Sequence, residues 1–105
     1  MSAVKRSLNM RGKSMQDALL MLNILAHPLR LSILCTIIES GELTAGDIVA
    51  SEPQASQSQI SQYLRAMRES GILTARRDGL FVYYSLKDKK AAAVMKVLKE
   101  LYCQG

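Results

Sequence analysis

At 105 residues, 49% apolar and 22% charged, the chain has the composition of ordinary globular material and the length of one domain, with no room for a separate cofactor-binding partner domain. Its apolar runs, the longest near residues 19–25 and 33–38, fall short of the ~20 residues a membrane span requires, so a soluble protein without membrane contact is expected. A formal charge of +5 suits a polyanionic partner only where the cations are grouped.

They are grouped. Residues 1–14 carry Lys5, Arg6, Arg11 and Lys13 without an acid and without apolar periodicity, which reads as a flexible basic arm. No uninterrupted apolar stretch with a cleavage site follows, so the arm is expected to stay on the mature protein. Residues 15–55 are acidic on balance, whereas 56–86, with Arg65, Arg68, Arg76 and Arg77, and the lysine-rich 87–105 are basic. Residues 15–105 are expected to form the folded domain.

From about Met15 to Ala26 the apolar residues recur at helical spacing and cover most of the circumference. His27-Pro28 restarts the chain with proline at a first helical position, and Leu29 to Glu39 is apolar on two sides, as a buried helix is. Ser40-Gly41 ends it, and Thr44 can cap a short helix over Ala45–Ala50. Ser56-Gln57-Ser58-Gln59 has the capping-box spacing, with Ser56 accepting from the third helical amide and Gln59 reaching back, and starts a helix over Gln57–Glu69. On that helix Ile60, Leu64 and Met67 share one side with Tyr63 beside them, while Ser58, Ser61, Gln62, Arg65, Arg68 and Glu69 fill the opposite side. Leu73–Arg77 and Leu80–Leu86 have strand composition and flank Asp78-Gly79, a hairpin turn signal. Asp88 can cap a last helix that runs to about Cys103 with an apolar stripe from Ala91 to Tyr102.

The fold expected from this order is mostly α with a β-hairpin, an α+β winged helix-turn-helix with elements α-α-α-α-β-β-α, in which Ala45–Ala50 braces Gln57–Glu69 as the recognition helix and the hairpin is the wing. A site for double-stranded DNA then has a geometry. Gln57, Ser58, Ser61 and Gln62 can hydrogen-bond base edges or phosphates, Arg65 and Arg68 can neutralise phosphate or read guanine, and Arg76 and Arg77 can reach the flanking backbone or minor groove. A polar helix face alone is more often plain solvated surface; its coincidence with a capped helix and an arginine-flanked hairpin favours DNA. A domain this small cannot cover two largely apolar helices, so the first and last should pack against their counterparts in a homodimer, which demands an inverted-repeat operator. An enzyme is not expected, since a single histidine supports no convincing nucleophile–base pair and no phosphate loop is present. A winged helix serving only as a protein-interaction module is the alternative of another class.

The segments Leu25-Ala26-His27-Pro28-Leu29-Arg30-Leu31-Ser32-Ile33-Leu34, Ser56-Gln57-Ser58-Gln59-Ile60-Ser61-Gln62-Tyr63-Leu64, Leu73-Thr74-Ala75-Arg76-Arg77-Asp78-Gly79 and Val82-Tyr83-Tyr84-Ser85-Leu86 resemble the ArsR/SmtB family of small dimeric winged-helix repressors. The resemblance implies a cytoplasmic transcriptional repressor. Many members bind metal through a Cys-x-Cys pair; here that context reads Glu42-Leu43-Thr44-Ala45-Gly46-Asp47-Ile48 with both thiols gone, and His27 reads as a helix-start residue. No metal or other cofactor is therefore expected, because two cysteines and one histidine cannot close a four-ligand soft-metal cage.

Cys35 and Cys103 lie 68 residues apart, too far for a Cys-x-x-Cys motif, and a reducing compartment argues against a structural disulfide. Two inert thiols are one reading of them, and one that suits a core position such as Cys35. Within the family the chain resembles the sulfide- and persulfide-responsive repressors and the haemolysin-expression regulators, which carry one cysteine in the second helix and one near the end of the last. That resemblance implies that Cys35 and Cys103 form a reversible disulfide, or a bridge with extra sulfurs after reaction with persulfides, and that DNA is then released. Thiols held beyond the ~7 Å Cα separation of a direct disulfide would favour the longer bridge, each added sulfur giving roughly 2 Å of reach. A general peroxide or thiol-redox sensor and a metal sensor are the alternatives within the same family.

Overall fold

The computed structural model describes residues 12–102, so most of the expected basic arm and Cys103 lie outside the described residues. Among the described residues, five helices and three strands follow in the order α1 (Lys13–Leu25), α2 (Pro28–Ser40), β1 (Glu42–Thr44), α3 (Ala45–Ser51), α4 (Gln57–Glu69), β2 (Leu73–Asp78), β3 (Phe81–Leu86) and α5 (Lys89–Tyr102). The core gathers where α2, α3, α4 and the sheet meet: Ile33, Leu34, Ile37, Ile48, Ile60, Leu64, Met67, Ile72 and Leu73 are almost wholly excluded from solvent. Helix α2 is apolar on two sides and is buried at its centre, while Leu29, Leu31 and Cys35 pack at the core margin. Helix α1 begins two residues before the expected start and meets α2 at a bend of 92°; no single helix among the described residues is long and apolar enough to cross a membrane.

The local chemistry of the helix starts explains their positions. His27 Nδ1 accepts from the Leu29 amide at 3.2 Å, with Pro28 in the first turn of α2. Thr44 Oγ1 accepts from the Asp47 amide at 3.1 Å while the Asp47 carboxylate accepts from the Thr44 amide at 3.3 Å, a full capping box. Thr44 and Gly46, the positions of the expected Cys-x-Cys context, thus serve as the helix cap and the second residue of the helix. At α4 only one arm of the expected box forms, Ser56 Oγ accepting from the Gln59 amide at 3.0 Å. Asp88 caps α5 through Oδ1, which accepts from the Lys90 amide at 2.7 Å. Thr44→Ala is expected to cost about 1 kcal/mol in urea unfolding, and Thr44→Ser to restore most of it.

Two further features differ from the sequence expectation. Residues 42–44 form a strand that pairs antiparallel with β3 (Glu42↔Ser85, Leu43↔Tyr84, Thr44↔Tyr83), so the wing belongs to a three-stranded sheet of order β1-β3-β2. A run of three residues has no periodicity to announce it; the free edge of β3 creates it. The hairpin also turns at Gly79-Leu80, with Asp78 paired to Phe81, one residue later than expected. A turn centred on Asp78-Gly79 would want both residues at positive φ, whereas Gly79 (φ 63°) is the only residue of this hairpin found there. One glycine in the first central position instead suits a type II′ turn, and Leu80 is carried to the tip, 98% exposed.

A candidate nucleic-acid interface

Helix α4 presents two unlike faces because its apolar residues recur at helical spacing. Ile60, Leu64 and Met67 are buried against the core, and Gln57, Ser58, Ser61, Gln62, Arg65 and Arg68 are exposed. Helix α3 packs against it, and the turn between them is anchored from below: Glu52, the one buried charged residue among the described residues, accepts from Ser32 Oγ of α2 at 2.6 Å. Composition gave no sign of Glu52, since only the fold brings α2 beneath the turn. Arg65 donates to Glu69 at 3.1 Å with both side chains largely exposed, an i,i+4 pair weak enough to yield to a phosphate.

Between α4 and the sheet lies an open groove of about 480 Å³ lined by Arg65, Arg68, Glu69 and Tyr84. The wing therefore flanks the arginine-bearing side of the recognition helix. Its own two arginines part company: strand alternation puts Arg77 on the face shared with Leu73 and Ala75, toward the core and α4, and Arg76 on the opposite face. Arg77 is exposed and makes no ion pair among the described residues. Arg76 donates through Nε to Glu42 Oε2 at 3.1 Å and through Nη2 to Glu42 Oε1, and its guanidinium lies 4.5 Å from the Tyr83 ring centroid. Both arginines are expected on DNA from the sequence; in the free protein Arg77 is unengaged by any ion pair among the described residues, while Arg76 fastens the wing to β1 through Glu42.

The hydrogen bond from Arg76 holds the Glu42 carboxyl below its ordinary value, with the charge of Arg76 adding to it. A depressed carboxylate supports the fold above its unfolded-state value and loses that support as pH falls through the lowered one. The wing latch is thus expected to be intact at neutral pH and to open only below the usual carboxylate range. Carbon-13 titration of the Glu42 carboxyl, compared with Arg76→Gln, reads this directly.

The chain matches the family described as "Bacterial regulatory protein, arsR family" over residues 27–75. The transcriptional activator HlyU of Vibrio cholerae is 34% identical over 93 residues, covering 89% of this chain and 84% of that protein. Among solved structures, reduced HlyU from Vibrio cholerae superposes with a TM-score of 0.79 at 34% identity, covering 88% of this chain and 95% of that one. The transcriptional repressor BigR from Xylella fastidiosa superposes with a TM-score of 0.78 at 33% identity, covering 89% and 93%. The chain belongs to the arsR family. It is a DNA-binding transcriptional regulator with a winged-helix fold, and its relatives are named regulators rather than enzymes. The expected likeness to haemolysin regulators is met by HlyU.

Proposed function

We propose that this regulator is a cytoplasmic homodimeric repressor that reads an inverted-repeat operator with Gln57, Ser58, Ser61, Gln62, Arg65 and Arg68 of α4, with Arg77 of the wing on the flanking backbone, and that releases DNA when Cys35 and Cys103 are bridged. The observation that carries the DNA reading is the exposed Gln/Ser/Arg face of a helix whose other face is wholly buried, set beside an arginine-lined groove at the wing. Dimerisation is supported by apolar surface left open on the first and last helices. Leu19, Leu20 and Leu22 of α1 are each more than half exposed, as are Val97 and Leu101 of α5. A monomer rarely exposes such a surface on two helices at once. Two copies would place their recognition helices ~34 Å apart, one turn of DNA.

The thiol reading rests on sequence position and on the state named for one relative. Cys35 is half-buried on α2, and Tyr102, immediately before Cys103, is 78% exposed. One solved structure of HlyU from Vibrio cholerae is of the reduced protein. A persulfide supplies the oxidant: forming a disulfide from two thiols removes two electrons, which the persulfide accepts as it splits into a thiol and hydrogen sulfide. A second persulfide adds the extra sulfur of a trisulfide and leaves as the thiol. Either bridge ties α2 to the end of the last helix and so biases the spacing of the two recognition helices.

The test is an anisotropy titration of the intergenic duplex upstream of the gene with reduced, peroxide-treated and glutathione-persulfide-treated protein, each checked by mass spectrometry. The expected result is a loss of operator affinity of ten-fold or more after persulfide, about 1.4 kcal/mol at least, and none in Cys35→Ser or Cys103→Ser. An unchanged mass with unchanged affinity refutes the thiol reading while leaving the DNA reading standing.

A further inference from the structure

The flank of α4 that faces away from the wing carries a cluster that the DNA reading does not use. Tyr63, half-buried one turn after Gln59, meets the start of α2: its hydroxyl lies 3.0 Å from His27 Nε2, and the two rings pack edge to face with centroids 4.9 Å apart. Because His27 Nδ1 already accepts from the Leu29 amide, the neutral ring carries its proton on Nε2, and that N–H donates to the Tyr63 oxygen. The Tyr63 hydroxyl thereby keeps its own proton for an outside acceptor. The Arg30 guanidinium sits 5.3 Å from the Tyr63 ring centroid; its Nε–H is buried without a hydrogen bond, and no carboxylate pairs with it among the described residues. An arginine held half-buried beside a hydroxyl donor, with no anion to neutralise it, is costly unless an anion arrives.

We infer that Arg30 and Tyr63, with His27 orienting the tyrosine, form a phosphodiester-binding site that grips the DNA backbone on the side of the recognition helix opposite the wing. The recognition helix is then bracketed, with Arg77 and the α4 arginines on one flank and Arg30 with Tyr63 on the other, so that phosphates on both edges of the major groove fix its register. The inference rests on the DNA reading above.

It is tested by anisotropy with the full chain and the upstream intergenic duplex over a potassium chloride series, comparing wild type, Arg30→Gln, Tyr63→Phe and Arg65→Ala. A phosphate contact predicts that Arg30→Gln weakens operator and random duplexes by the same factor, about ten-fold, and lowers the salt slope by about two for a dimer. Uncharged methylphosphonates placed singly along the duplex should include one position per half-site, away from the wing, that weakens wild type and leaves Arg30→Gln unaffected. A purely packing role would leave the salt slope unchanged and every methylphosphonate equally costly to both proteins, which overturns the inference. Should Arg30→Gln fail to fold by thermal melt, the same scan on wild type and Tyr63→Phe decides by the same criterion. If wild type itself binds no duplex, the DNA reading falls and this inference with it; a change of slope in Arg65→Ala but not in Arg30→Gln removes this inference alone.

Discussion

Leu64→Ala is expected to lower the free energy of unfolding by about 3–5 kcal/mol, enough to leave a domain of ordinary stability largely unfolded near its working temperature. Leu64 is 2% exposed and shares the inner face of the recognition helix with Ile60 and Met67, which are fully buried. Removing its branched end opens a cavity that α2 and α3 cannot collapse into without tearing their own contacts, so both the transfer and the cavity costs fall due. One turn away on the other face, Ser61→Ala and Gln62→Ala should change stability by no more than about 0.5 kcal/mol while weakening operator binding. Urea unfolding followed by circular dichroism, beside anisotropy on the same preparations, separates the two classes. A Leu64→Ala protein as stable as wild type would mean that α4 does not pack as the structure has it.

The second large effect divides the two wing arginines. Arg77→Ala should weaken operator binding by about ten-fold in the dimer and lower the salt slope by about two, with unfolding unchanged, because the side chain is exposed and makes no ion pair among the described residues. Arg76→Ala should leave the salt slope within error of wild type, since its charge is already matched by Glu42 across the sheet. It should instead raise amide exchange along β1, where the pairing of Glu42 with Ser85 loses its side-chain fastening. Equal slopes in the two variants would contradict the assignment of Arg77 alone to DNA.

Two residues adjacent in sequence differ this way for a reason that no reading of the sequence supplies. Alternation along a strand says that Arg76 and Arg77 point to opposite sides, yet which side faces α4 depends on where Leu73 is buried and on a third strand that forms only against β3. Likewise the turn residues were recognisable as a hairpin signal, but the choice between Asp78-Gly79 and Gly79-Leu80 was made by the pairing register, which placed Leu80 rather than Asp78 at the tip. His27 is a helix-start residue by position; its second role, holding Tyr63, needed α2 and α4 to be brought together across 36 residues.

What the sequence determined by itself is local: where α2, α3, α4 and α5 start, through Pro28, Thr44, Ser56 and Asp88, and which side of α4 is bare, through the spacing of Ile60, Leu64 and Met67. Caps and apolar periodicity act within a few residues, so one chain segment carries all the information they need. Tertiary structure alone decided the β1 strand, the bond from Ser32 to Glu52, the pairing of Arg76 with Glu42, and the meeting of His27, Arg30 and Tyr63. Each of these is a contact between groups far apart along the chain, and only the burial of the shared core fixes which of the many compatible partners come within reach.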